Sequence, residues 1–260
     1  MKYEDITVER EGRLLLVTIN RPDVLNALRL KTFQEIGEAV TRFKEDAEAG
    51  AMIITGAGDR AFCAGGDVKG LIDMSSTDAL KFAKMAHGIL DAMESTPKPI
   101  IAAVNGMALG AGCDLAATCD LVVASERASF GEPPTGLGIT TPFGGTQRLP
   151  RLVGSRRAKQ LFLTGESVDA DTALRWGLAN RVVKPEELLP EAKRLAERIL
   201  SRAPIAIGYC KRLVNEAARA GLMEGDALEA ELYAKCFDTE DKAEGMRAFL
   251  EKRKAVFRGK

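Results

Sequence analysis

Histidine is almost missing. The 260-residue sequence has one, His87, so no His pair is available to hold a metal, and a Ser-His-Asp mechanism would have to run through that residue. An excess of either charge is missing too. There are 37 Lys and Arg against 37 Asp and Glu, which removes the electrostatic case for nucleic acid or an anionic membrane surface. Cysteines occur (Cys63, Cys113, Cys119, Cys210, Cys236), but in an odd number and without C-x-x-C spacing. Reduced thiols in a cytoplasmic setting are the expectation, with no disulfide framework. Lys2, Glu4, Asp5, Glu9, Arg10 and Glu11 interrupt any leader-like core near Met1. The most apolar stretch, Ile100 to Ala124, contains Asn105, Asp114 and Asp120 as well as Gly106, Gly110 and Gly112. A membrane span needs about 20 predominantly apolar residues, so this stretch reads as strand, loop, buried helix and strand.

What is present is an ordinary globular composition, 46% hydrophobic and 28% charged, long enough for one large domain or a domain with an appendage. Two strands are expected within residues 3–19, with Glu11-Gly12 as a turn signal. A helix follows from about Leu30 to Asp46, with Phe33, Ile36, Val40 and Phe43 at helical spacing. Met52 to Thr55 reads as a buried strand, Gly56 to Gly66 as a glycine-rich loop, and residues 78–94 as a helix. Ile100 to Val104 is a further strand, Asn105 to Gly112 a second glycine-rich loop, and a short helix starts near Cys113. Leu121 to Ala124 and Ala128 to Phe130 are short strands, and beyond about residue 190 the pattern is helical. An α/β body with a helical C-terminal part is the expected architecture. Helices with apolar faces and no core of their own must pack on the body or on another subunit.

Gly56-Ala-Gly58-Asp-Arg-Ala61 matches G-x-G-x-x-A after a strand. A dinucleotide site needs a helix starting within those glycines, and Gly65-Gly66-Asp67 would break it within two turns. A surface turn fits better. More telling is a design used twice. Gly65-Gly66 precedes Asp67-Val68-Lys69, and Gly110-Ala111-Gly112 precedes Cys113-Asp114-Leu115. Each is a strand, then small residues, then a helix start, where backbone N–H groups are unpaired. One N–H from each loop can converge on an oxygen that becomes negative during reaction. Simple helix capping by Asp67 and Asp114 explains the same residues equally well.

At this point the sequence resembles the enoyl-CoA hydratase/isomerase (crotonase) superfamily. Arg60-Ala-Phe-Cys-Ala-Gly-Gly-Asp67 resembles its first oxyanion loop, and Pro99-Ile-Ile-Ala-Ala-Val-Asn-Gly-Met-Ala-Leu-Gly-Ala-Gly112 its second. Ser129-Phe-Gly131, Gly144-Gly-Thr-Gln-Arg-Leu-Pro-Arg151, Phe162-Leu-Thr-Gly165 and Glu244-Gly-Met-Arg-Ala-Phe-Leu-Glu-Lys-Arg253 resemble later motifs, so the likeness runs through nearly the whole chain. The resemblance implies a crotonase-like ββα spiral over residues 1–190 and a helical C-terminal trimerisation region over 191–260. It implies a homotrimer or a hexamer built as a dimer of trimers. It implies an acyl-CoA thioester as substrate, with coenzyme A part of that substrate and no separate cofactor or metal. The positions matching the oxyanion donors are Gly66 and Ala111. Leu25, Ala64, Asp67, Val68 and Lys69 would cradle the CoA, with Tyr233, Phe249 and Lys252 of a neighbouring subunit closing over its nucleotide end. The acyl pocket would be shaped by residues 71–95 and by neighbouring subunits.

The catalytic acids depart from the pattern. Typical hydratases of the family use two glutamates, one in the first turn of the second loop's helix and one after Phe-Gly-x-Pro. Here the first position is Asp114 and the second is Pro134, within Phe130-Gly-Glu-Pro-Pro134; the next place where some relatives carry an acid is Pro142. Asp114 is therefore the leading acid/base. Glu132 is the second candidate if the segment is extended, and otherwise an exposed loop carboxylate. Hydration or dehydration of an enoyl-CoA is the expected reaction. Double-bond isomerisation, which one carboxylate can perform, and non-catalytic acyl-CoA binding are the alternatives. His87 reads as a helix histidine near the acyl pocket, Cys63 and Cys113 as small apolar filler, and Trp176 as packing.

Overall fold

The computed structural model describes residues 3–260. β1 (Ile6–Glu11) and β2 (Leu14–Ile19) form an antiparallel hairpin. Gly12, at φ +59°, supplies the left-handed backbone that its two-residue turn requires. α1 (Leu30–Glu45) follows, burying Phe33, Ile36, Val40 and Phe43 as their spacing predicts. β3 (Ala51–Gly56) then leads into β4 (Ala61–Cys63), the short helix α2 (Val68–Leu71) and the long helix α3 (Ser76–Ser95). The unit repeats as β5 (Ile100–Val104), β6 (Met107–Leu109) and α4 (Ala111–Thr118). It repeats again as β7 (Leu121–Ser125), β8 (Ser129–Gly131), a 3-10 turn over Pro133–Leu137 and α5 (Gly145–Val153). α6 (Ser155–Thr164), β9 (Ser167–Asp169), α7 (Ala170–Trp176) and β10 (Arg181–Val183) complete the body. α8 (Leu188–Leu200), α9 (Pro204–Ala217), α10 (Leu222–Cys236) and α11 (Glu240–Leu250) end the chain.

The first strand of each unit joins one sheet and the second strand joins another. The large sheet runs β1-β2-β3-β5-β7-β10, parallel from β2 onward. The small sheet runs β4-β6-β8-β9, with only β9 antiparallel. This is the expected spiral of ββα units. Alternation along the large sheet separates two cores. Leu15, Val17, Met52, Ile54, Ile100 and Ala102 face α1 and α3, while Leu14, Leu16, Ile53, Ile101 and Val123 face Leu188, Ala192 and Ala196 of α8. Burial on both faces explains why β3 and β5 read as unbroken apolar runs.

Two expectations are corrected. The segments read as glycine-rich loops each contain a strand, β4 within 56–66 and β6 within 105–112. Three-residue strands are too short to show a period, and their hydrogen bonds come from distant partners. The glycines around them answer to close approach. A Cβ on Gly56 would stand 2.4 Å from the Ala61 carbonyl oxygen, and one on Gly106 would stand 2.3 Å from that of Arg60. Among the described residues no helix is long and apolar enough to cross a membrane.

Candidate active site

The two strand-to-helix junctions lie side by side because β4 and β6 are parallel neighbours. In the first, Leu28 pairs across Gly66: its N–H donates to Gly65 C=O (2.8 Å), and its C=O accepts the Asp67 N–H (2.9 Å). In a parallel bridge the peptide between those two groups points the other way, so the Gly66 N–H faces away from Leu28. In the second, Gly110 takes φ +49° and ψ −117°, a conformation that a side chain resists, and Ala111 opens α4. Neither the Gly66 nor the Ala111 N–H has an acceptor among the described hydrogen bonds. The junctions touch at Gly112. A Cβ there would stand 2.1 Å from the Cys63 carbonyl oxygen, so only glycine lets α4 begin this close to the first loop.

The first loop is pinned from beneath. Asn26, in left-handed backbone at φ +58° and 1% exposed, accepts from Arg21 N–H (3.0 Å) and donates to the carbonyls of Ala57 (3.0 Å) and Ala61 (2.8 Å). Leu25, at φ +54°, accepts from the Ala64 N–H (3.0 Å). Asp67 caps α2 through Lys69 N–H (3.2 Å) and pairs with Arg21 (3.0 Å). Val68 and Lys69 are exposed at the loop's rim. Tyr233 and Phe249 are 64% and 83% exposed and Lys252 is exposed as well, and none of them has a recorded hydrogen bond to these loops.

Asp114 lies in the first turn of α4 and is fully buried. Its Oδ2 accepts from Thr141 Oγ1, and its Oδ1 has no hydrogen-bond partner. Gly145 at the start of α5 makes room for it: a Cβ there would fall 1.7 Å from Oδ1. Glu132 is fully buried as well, and neither of its carboxylate oxygens has a partner. The reading of Glu132 as an exposed loop carboxylate is thereby corrected. β8 pairs with β6 in the register Leu109↔Gly131, and Gly110 N–H donates to Gly131 C=O (2.9 Å). The next residue, Glu132, is delivered beside the start of α4. The chain then turns into a 3-10 helix, so Pro134 does not repeat the placement of Glu132; its ring lies against Gly110.

Burial raises the proton affinity of both carboxyls. For Asp114 the rise is opposed by the Thr141 hydroxyl, by Glu132 and by the field of Arg148. Glu132 rises further, because the Asp114 charge adds to its desolvation. Two such groups titrate as a pair. Burial of both, and the charge each presents to the other, make the second ionisation of the pair the harder one. Burial pushes the Cys63 thiol up to about 12 and the Cys113 thiol well above its ordinary value, so neither supplies a nucleophile. Trp176 packs against the core beside Arg157, and His87 stands exposed on α3. Gly56 to Ala61 leads into a strand and not a helix, so it cannot present a helix N-terminus to a pyrophosphate.

The sequence model of the enoyl-CoA hydratase/isomerase family matches residues 9–260. The chain belongs to that family. It is 48% identical over 257 residues to a crotonyl-CoA hydratase of Syntrophomonas wolfei, covering 99% of each chain. It is 44% identical over 254 residues to a short-chain-enoyl-CoA hydratase of Clostridium acetobutylicum, covering 98% of this chain and 97% of that one. Among solved structures, an enoyl-CoA hydratase from Bacillus anthracis superposes with a TM-score of 0.95 at 36% identity, covering 99% of this chain and all of that one. Family membership accounts for the paired loops and the ββα spiral. Sequence reasoning passed over Thr141, Gly145 and Arg148 as participants. Gly144-Gly-Thr-Gln-Arg148 stood out as a family motif, but only the fold places it around Asp114.

Proposed function

We propose that this enzyme adds water to a short-chain 2-enoyl-CoA and removes it from the corresponding 3-hydroxyacyl-CoA, using Asp114 and Glu132 as its acid/base pair. The observation that carries the reading is the second buried carboxyl. Glu132 has three features of the acid that Pro134 cannot supply: burial, two unpartnered oxygens and a raised proton affinity. The Gly66 and Ala111 N–H groups hold the thioester oxygen. The Asp114 carboxylate takes a proton from water, whose oxygen bonds to Cβ. The Cα=Cβ electron pair moves toward the thioester as an enolate, and Glu132 gives its proton to Cα. Passage of the new proton from Asp114 to Glu132 restores the pair, so atoms and charge balance over the cycle. The two relatives, a crotonyl-CoA hydratase and a short-chain-enoyl-CoA hydratase, support the short acyl chain.

Double-bond isomerisation drew its support from a site with one acid, and the buried position of Glu132 removes that support. The loops around Leu25, Ala64, Asp67, Val68 and Lys69 serve as the CoA cradle in this reading. Tyr233, Phe249 and Lys252 reach the nucleotide end from a neighbouring subunit of a trimer or a dimer of trimers. The test is crotonyl-CoA in deuterium-enriched water, followed by mass spectrometry. Hydration is expected, giving a hydroxyacyl-CoA, and both Asp114→Asn and Glu132→Gln should lower turnover by roughly 100-fold or more. Exchange without added water would favour isomerisation, and near-normal activity in either variant removes that residue from the chemistry. Binding without turnover across a panel of acyl-CoAs would point to a non-catalytic relative.

A further inference from the structure

Asp114 is surrounded by few charges. Glu132 faces it from the end of β8 and Arg148 acts on it from α5, while Thr141 and the thiols of Cys63 and Cys113 are its neutral neighbours. Arg148 is distinctive among these because it is fixed on several sides. Its side chain is 13% exposed, its Nε donates to Glu94 (2.7 Å) and its Nη2 to Asp91 (3.1 Å), both on α3. Its Nη1 reaches back to the Phe143 carbonyl (3.4 Å), and a Cβ on Gly144 would stand 2.1 Å from that nitrogen. The guanidinium therefore lies folded over the segment 141–145. That segment carries Thr141, which donates to Asp114, and Gly145, which gives Asp114 its space. Phe143, between them, is locked against Phe33 (4.7 Å between centroids) and Phe82 (5.4 Å).

We propose that Arg148 is a positioning residue for Asp114: it clasps the 141–145 segment against the carboxylate and holds a guanidinium over the segment that touches it. Glu94 carries the arrangement outward. Its other oxygen accepts from Arg219 (2.9 Å), and its carbonyl accepts from Asn215 (3.0 Å), both in the segment formed by α9 and its C-terminal end. The C-terminal helices are thus tied to the acid/base pair through Glu94 and Arg148. The proposal rests on Asp114 being the proton-transfer group, and its test separates the two claims.

Infrared difference spectroscopy follows the titration of the buried carboxyls, and the acidic limb of kcat against pH is measured beside it. In Arg148→Gln the Asp114 titration should rise by about 1 pH unit. Arg148→Lys, which keeps the charge, should return it toward the wild-type value. Glu94→Gln, which removes the anion that offsets Arg148, should move it down. A merely structural Arg148 would lower the melting temperature and the activity while leaving the titration in place, and that result overturns the proposal. If Arg148→Gln does not fold, the downward shift in Glu94→Gln decides the matter alone; an unmoved titration there is equally fatal. A shift seen in the infrared but not in kcat would uphold the role of Arg148 and remove Asp114 from the rate-determining proton transfer.

Discussion

Glu132 exposes a conflict between stability and chemistry. Its carboxyl is completely buried without a hydrogen-bond partner, and its proton affinity is raised. In the unfolded chain it titrates near 4.5, and in the folded protein it titrates higher. Below pH 4.5 both states are protonated and the group costs nothing through ionisation. As pH rises, the unfolded chain ionises first, so stability falls until the folded carboxyl also ionises. Glu132→Gln removes that dependence. Its unfolding curve should match the wild type at acid pH and separate as pH rises. At neutral pH it should be more stable by on the order of 1 kcal/mol, or about 2–4 °C in melting temperature. Calorimetry at several pH values checks this, and a variant that melts lower at neutral pH contradicts it. The residue itself was legible in the sequence as a candidate acid. Its burial was not, because that depends on the β6/β8 register and on a 3-10 turn set by Pro133 and Pro134.

At the scale of elements, two glycines set the site's dimensions. Gly112→Ala drives a methyl into the Cys63 carbonyl and must push α4 away from the first loop. A loss of about 3 kcal/mol is expected, together with a fall in kcat as the two N–H groups separate. Gly145→Ala strikes a side-chain oxygen of Asp114 instead of backbone. The carboxylate can rotate, so the fold should survive with a much lower kcat and a nearly unchanged KM. Steady-state kinetics beside thermal melts distinguish the two cases. Helical periodicity revealed α1 and α3 because each buries a wide apolar stripe, Phe33 to Phe43 in one and Phe82 to Met93 in the other. β4 and β6 escaped notice because glycines flank each of them on both sides, whereas β8, equally short, could be read at Ala128 to Phe130. Yet these two strands set the two strand-to-helix junctions side by side.

Across the described residues, the large apolar side chains left most open lie in α10 and α11. Leu222, Met223, Phe249 and Leu250 are 82%, 84%, 83% and 79% exposed. Exposure on this scale in two consecutive helices favours a subunit contact, and the family resemblance already implied a trimer. Sedimentation should therefore find an oligomer in solution. Replacing Phe249 and Leu250 together by Asp should dissociate it and raise KM for crotonyl-CoA more than it lowers kcat. A monomeric wild type with normal KM would overturn that expectation. The helical character of this region could be read from sequence, but the side of each helix left uncovered required the fold. α8 has the same kind of pattern, yet it is spent on the large sheet.

The placement of Glu132 also separates two tasks that one segment would otherwise share. Its position is inherited from the β6/β8 ladder, whereas the turn Pro133–Leu137 begins only after it. That turn carries no carboxyl, and from Thr135 onward it is exposed, with Gly136 free of any crowding. Substitutions from Thr135 onward, beyond the two prolines that set the turn, meet solvent and leave the ladder that holds Glu132 in place. Beyond Pro134 the turn is thus free to drift in sequence while the strand register that carries Glu132 stays fixed.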